Sequence, residues 1–282
     1  MLAFAVACPA CKPVASKSLQ PRRFASRAGN SKKVFSMKGL FLAIQLLTVF
    51  PIRFTQSVEA DELGRSTAFF PLVGALQGII LVVSNIILSK FLPHNLADAL
   101  LLVILILING GFHLDGFADT IDGIAGGNTK EERLRIMRDS RIGAIGVAAL
   151  VLLILIKFLS INSLSLESKN VILFLFPVFG KWAIVPMAYL LDYAREGEGV
   201  GKPFAEYTTE REVIIATLWT FIFSFIFFRW IGLIYITAFM VFTTITARFF
   251  RKRIGGVTGD VFGFYSEVAE ILFIIINLFN IK

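Results

Sequence analysis

Uninterrupted apolar runs decide what this chain can fold into. A helix needs about 20 apolar residues to cross the hydrocarbon layer of a bilayer. Residues 66–89, 97–111, 142–160, 171–191, 213–228, 230–247 and 268–278 reach or approach that length. Backbone polar groups in lipid have no water to bond, so only helices and closed barrels can span it. Barrel strands alternate apolar and polar residues over segments of about ten, whereas these runs are continuous. The expectation is an all-α, polytopic transmembrane bundle of about seven spans. A further apolar segment, 40–51, is too short to cross and reads as re-entrant or interfacial. Composition agrees: 56% of the 282 residues are hydrophobic, 17% are charged, and the mean hydropathy is +0.75, where a soluble chain carries about a quarter charged residues.

The net charge of +8 is unevenly placed. Residues 1–36 hold seven of the 28 basic residues and none of the 20 acidic ones, which leaves 21 against 20 in the rest. The basicity therefore belongs to a tail and gives no reason to expect nucleic acid as a partner. That tail is rich in Ser and Arg and free of acid, like a transit peptide, but the simpler reading is a start at Met37, just before the first apolar segment. Its Cys8 and Cys11 form a lone pair with no further ligands nearby for zinc. Residues 37–282 are expected to form one membrane domain.

Basic residues in short loops mark the cytoplasmic side. Segments 130–141 and 248–253 are the basic ones. Counting seven spans from Arg65 puts both on that side, together with 192–212, and puts 161–170 and the C-terminus outside. Arg229 interrupts a long apolar run and predicts a tight hairpin. Lys181 and Arg229, each flanked by apolar residues, are expected to snorkel to the interface.

Chemistry concentrates in residues 110–127. Asp115, Asp119 and Asp122 fall at i, i+4 and i+7, which is one face of a helix. Three stacked carboxylates repel one another unless a cation joins them, and Mg²⁺ takes carboxylate, water and substrate phosphate oxygens. A solvated acidic face is the plainer alternative. The next polar segment carries Arg138 and Arg141 one turn apart, suited to gripping phosphate, with Asp139 between them as a further ligand or a base. Gly143 and Gly146 then open the following span. A third cluster, Gly255 to Asp260 with Glu267 and Glu270 beyond at helical spacing, would place Asp260 near a second metal position. The glycine-rich segment 195–204 is assigned no site. The body has no cysteine, no G-x-S-x-G elbow, no Walker A loop and no dinucleotide fingerprint. Metal-assisted chemistry on a phosphorylated substrate is what remains.

The runs G-G-F-H-L-D-G-F-A-D-T-I-D-G-I-A-G-G, I-M-R-D-S-R-I-G-A-I-G and G-G-V-T-G-D-V-F-G, with F-F-P-L-V-G-A-L-Q-G at 69–78 after Arg65, resemble the adenosylcobinamide-GDP ribazoletransferase (cobalamin synthase) family. The likeness extends from about Met37 to Ile281. It implies that α-ribazole, or its 5′-phosphate, is joined to adenosylcobinamide-GDP with release of GMP, late in cobalamin biosynthesis. It further implies a Mg²⁺-dependent, multi-pass enzyme of the cell (inner or plasma) membrane, lipid-embedded, with its site on the cytoplasmic face. Asp115, Asp119 and Asp122 would hold metal, Arg138 and Arg141 would neutralise phosphate, and His113 or Asp139 would take the hydroxyl proton. Asp260, Glu267 and Arg65 are further candidates, and a homo-oligomer is compatible with the sequence. The run from Asp119 to Gly123 is similar to the D-x-x-D-G core of CDP-alcohol phosphotransferases. Their following A-R is missing, since Ile124-Ala125-Gly126-Gly127 stands there. The rival reading is a cation- or proton-coupled transporter, which predicts acids at mid-span and an inverted repeat; in the sequence the acids fall at span ends. A purely structural scaffold would leave the one-face aspartates unexplained.

Overall fold

Apolar side chains on every face leave each segment one way to satisfy its backbone in lipid, the α-helix, and the described part of the chain is built from helices. The computed structural model describes residues 37–52, 58–197 and 199–279; the expectations about the 1–36 tail lie outside them. In chain order the helices are α1 (Met37–Leu47), α2 (Ala60–Arg65), a 3-10 turn (Ser66–Phe69), α3 (Phe70–Leu88), α4 (His94–Asn109) and α5 (Phe112–Gly126). There follow α6 (Lys130–Ile136), α7 (Ala144–Asn162), α8 (Leu166–Leu190), α9 (Lys202–Tyr207), α10 (Glu210–Phe228), α11 (Ile231–Ile254) and α12 (Gly259–Phe279).

Six helical stretches are long and apolar enough to cross a membrane: α2 running on through α3, then α7, α8, α10, α11 and α12. The pair α4–α5, bent by 89°, makes a seventh if counted as one broken span. The polytopic bundle expected from the sequence is the fold observed. With 11 residues, α1 is about 16 Å long at 1.5 Å per residue, too short to cross, as expected. The bend has a local cause. Gly110 and Gly111 both take left-handed backbone (φ 64° and 76°), which ends α4 and redirects the chain at little steric cost. Arg229, with a positive φ of 52°, turns α10 into α11 in the predicted hairpin.

The 25-residue α8 is the central post. It is buried along most of its length, with α3, α12, α10 and α11 packed around it. Against α3 the backbones nearly touch. A side chain on Gly74 would collide with the Pro177 carbonyl, and one on Gly78 with the Phe174 backbone, so this spacing works as a small-residue seam of the kind that joins membrane helices. Phe179 stacks on Phe273 of α12 at 4.4 Å and meets Phe239 of α11 at 5.2 Å, closing the core between three helices.

Two ends of the bundle differ in character. At one end His94, Asp98, Asn162 and Lys169 form a polar knot, in which the buried Lys169 ammonium and Asp98 carboxylate pair directly and Asn162 donates to Asp98 at 3.0 Å. At the other end α2, α6, α9 and the connecting residues 191–197 and 255–258 come together. That gathers the loops that the span count placed on one side, and all the aspartates of interest reach it.

Candidate active site

Four carboxylates and one guanidinium build the site. The α5 helix forms as the three-aspartate spacing predicts, and Asp119 lies within electrostatic reach of Asp115, Asp122 and Asp260 as like charges and of Arg195 as the counter-charge. Asp260 comes from the first turn of α12. It can approach because Gly116 carries no side chain: a Cβ there would stand 2.8 Å from the Asp260 backbone. Phe117 stacks on Phe264 at 5.3 Å, holding the two helices in this register.

Arg195 is held where two loops run side by side, joined by a parallel bridge between Tyr193 and Val257. Ala194 N–H donates to the Val257 carbonyl at 2.9 Å, and Val257 N–H donates to the Asp192 carbonyl at 2.9 Å. The Arg195 guanidinium then donates to Asp260 Oδ2 at 2.5 Å and to the Met137 carbonyl at 3.2 Å. Burial pushes the neighbouring Tyr193 phenol above its ordinary pKa, with Arg195 pulling the other way. The sequence reading assigned segment 195–204 no site, and Arg195 is what it missed. The available signal was a basic residue in a glycine-rich connection that the span count placed on the same side as the aspartates.

The arginine segment lies at this surface. Arg138 donates to the Glu196 carbonyl at 3.1 Å. Arg141 grips Asp139 through Nε at 3.0 Å and Nη2 at 2.8 Å, and its backbone N–H donates to the same carboxylate. The side-chain bonds from Arg141, then its backbone bond, hold Asp139 down to a pKa of about 2. A carboxylate held that low accepts protons poorly at neutral pH, which counts against the expected role of Asp139 as a base. Asp122 is engaged as well: Gly143 N–H and Gly146 N–H each donate to one of its oxygens at 2.7 Å.

Other expected residues lie elsewhere. Glu267, a further candidate from the sequence, sits inside the bundle, paired with Lys157 at 2.5 Å. Lys157 also meets Glu270 at 2.7 Å, and Glu270 meets Lys181 at 2.8 Å. Lys181, expected to snorkel, is fully buried. Hence the expectation that acids fall only at span ends is corrected, although both of these carboxylates have an ammonium partner, as charges within a membrane require. His113 faces this interior rather than the aspartates, lining a small cavity with Asn109, Lys157 and Glu267, and among the described residues its Nδ1 is buried without a hydrogen-bond partner. Residues two apart on a helix point in different directions, so His113 and Asp115 leave α5 on different sides. Arg65 pairs with Asp61 at 3.2 Å on α2. Among the described residues, no three of Asp, Glu, His or Cys stand close enough to cage a metal by themselves.

Over residues 39–278 the chain matches the family described as cobalamin-5-phosphate synthase. Three similar proteins are named adenosylcobinamide-GDP ribazoletransferase. That of Acetivibrio thermocellus is 35% identical over 85% of this chain and 97% of its own. That of Geotalea daltonii is 35% identical over 82% and 93%, and that of Acinetobacter baumannii 36% identical over 83% and 94%. No solved structure matches the chain.

Proposed function

The chain belongs to the cobalamin-5-phosphate synthase family, and we propose that it performs the transfer for which its relatives are named. A ribose hydroxyl of α-ribazole, or of its 5′-phosphate, bonds to the phosphorus that stays with the cobinamide. The bond from that phosphorus to the bridging oxygen of GMP breaks, GMP leaves with the bonding electrons, and the hydroxyl proton passes to solvent. One observation carries the reading: Arg195 bridges Asp260 and the Met137 carbonyl, so the arginine-bearing loops and the α5 aspartates share one surface. Phosphoryl transfer needs that combination, because its transition state is stabilised mainly by positioning and charge neutralisation.

Mg²⁺ fits the donor set. Mg²⁺ is typically held by one or two carboxylates plus waters and substrate phosphates rather than by a protein cage, and the crowded carboxylates offer this without a three-ligand cluster. Asp119 would hold it, with Asp115 or Asp260. Bound there, the ion would polarise the phosphoryl oxygens. Arg138, Arg141 and Arg195 bind the diphosphate oxygens, Arg195 exchanging a partner carboxylate for phosphate. Asp139, kept ionised, orients the Arg141 fork. His113, on the interior side, does not meet the attacking hydroxyl.

We place this end of the bundle at the cytoplasmic face of the cell membrane, because Lys130, Arg133 and Arg135 of α6 and Arg248, Arg251, Lys252 and Arg253 of α11 gather there and basic loops remain inside. Detergent-solubilised full chain incubated with adenosylcobinamide-GDP, α-ribazole and Mg²⁺ should release GMP in step with the corrinoid product. Absence of GMP, or the same release without α-ribazole, refutes the proposal.

A further inference from the structure

Helix α7 opens without a cap of its own. Its N-cap residue is Gly143, which has no side chain to accept from the first turn, and the first N–H groups of a helix need an acceptor from elsewhere. Asp122 supplies it from α5. Gly143 N–H donates to Oδ2 and Gly146 N–H to Oδ1, both at 2.7 Å. Gly146 is the third residue of the helix, the position whose N–H a capping side chain normally takes. Either glycine with a side chain would overlap this carboxylate, since a Cβ at 143 or 146 would fall onto it. The negative charge also lies at the positive end of the α7 dipole. Three independent features therefore agree on one geometry: two short bonds, two glycines that make room for them, and a helix end otherwise uncapped.

We propose that Asp122 is a positioning residue and not a metal ligand. Its carboxylate locks the start of α7 onto α5, which fixes the segment leading into Gly143, with Arg138 and Arg141, in register with Asp115 and Asp119. On this account the three-aspartate face divides its labour. Asp119 and Asp115 would hold the metal, while Asp122 sets the distance between them and the phosphate-binding arginines. The inference rests on the transferase reading for its catalytic consequence, but not for the cap itself.

The test compares Asp122→Asn, Gly146→Ala and Asp119→Asn in the detergent-solubilised full chain. It uses three readouts: hydrogen exchange of the α7 first-turn amides, Mg²⁺ binding by calorimetry, and KM against kcat. Asn keeps one acceptor oxygen but turns an NH₂ toward the second N–H, and Gly146→Ala pushes the carboxylate away without touching its charge. Both should speed exchange at the start of α7 by roughly 10-fold, the scale of a lost cap. Both should also raise KM for the GDP-bearing substrate by a similar factor while leaving Mg²⁺ affinity as in wild type. Asp119→Asn should weaken Mg²⁺ binding and leave the α7 amides alone. If Asp122→Asn weakens Mg²⁺ binding as much as Asp119→Asn, with α7 exchange unchanged, the inference is overturned. Faster exchange with an unaltered KM overturns the positioning role. Wild-type chain that binds Mg²⁺ but releases no GMP removes the transferase reading instead, while the exchange data still judge the cap.

Discussion

Removing the Lys181 ammonium should destabilise the bundle more than any single surface change. Lys181, Glu270, Lys157 and Glu267 form an alternating row of charges across α8, α12 and α7, and all four are buried. Glu270 Oε1 accepts from Lys181 and Oε2 from Lys157, and its side chain crosses directly over Gly180. The row is neutral as a whole. Lys181→Met keeps much of the side-chain volume but leaves a net charge of −1 and an Oε1 that has lost its ammonium. Stripping one partner from a buried pair costs about 3–5 kcal/mol. A second change, Glu270→Gln on the Lys181→Met background, restores neutrality, with Lys157 still paired to Glu267, and should return more than about half of that loss, since a neutral amide in place of an unpaired charge removes the larger penalty. Unfolding in mixed micelles can be followed through the fluorescence of Trp182, a buried neighbour of Lys181. Lys181→Met within about 0.5 kcal/mol of wild type, the range of an ordinary surface substitution, would refute the reasoning. A double variant less stable than the single one would do so equally.

Gly78→Ala should cost about 1–3 kcal/mol by overpacking the α3–α8 seam, read from the same unfolding curves; an unchanged midpoint would mean that the helices can part freely there. Asp139 has a depressed folded pKa of about 2, so whatever it contributes to folding is present above the unfolded carboxylate pKa and lost only as the pH falls toward 2; between pH 5 and 9 Asp139→Asn should lower turnover without moving either limb of the pH–rate profile, and a shifted limb would mark Asp139 as the base after all. In a chain with Cys8 and Cys11 replaced by Ser, a cysteine at Glu131 should react with impermeant reagent only from the cytoplasmic side and one at Glu167 only from outside. The reverse labelling pattern would invert the orientation.

The helical bundle was legible because hydropathy is local: each span announces itself within its own residues. The aspartate face was legible for the same reason, since i, i+4 and i+7 are fixed by one helix. What escaped depended on pairs distant in sequence. Lys157 meets Glu267 across 110 positions and Lys181 meets Glu270 across 89, so the sequence shows lone charges where the fold has a neutral row. Glu267 set the start of the last apparent span at 268, although α12 runs from Gly259. Arg195 was overlooked because only the parallel pairing of two distant loops, through Ala194 and Val257, carries it to Asp260. Asp122 looked identical to its two neighbours until α7 was placed against it.

The central claim is that the α5 aspartates, and Asp119 above all, sit where the phosphorus is transferred. Turnover of Asp119→Asn, measured as GMP released from adenosylcobinamide-GDP and α-ribazole, tests it most directly, with Glu131→Gln on the exposed face of α6 as the comparison. The account predicts that Asp119→Asn loses roughly 10²–10⁴-fold in kcat, the scale of a single electrostatic or acid–base contribution, at unchanged protein level, while Glu131→Gln matches wild type. Equal turnover in the two variants would contradict it.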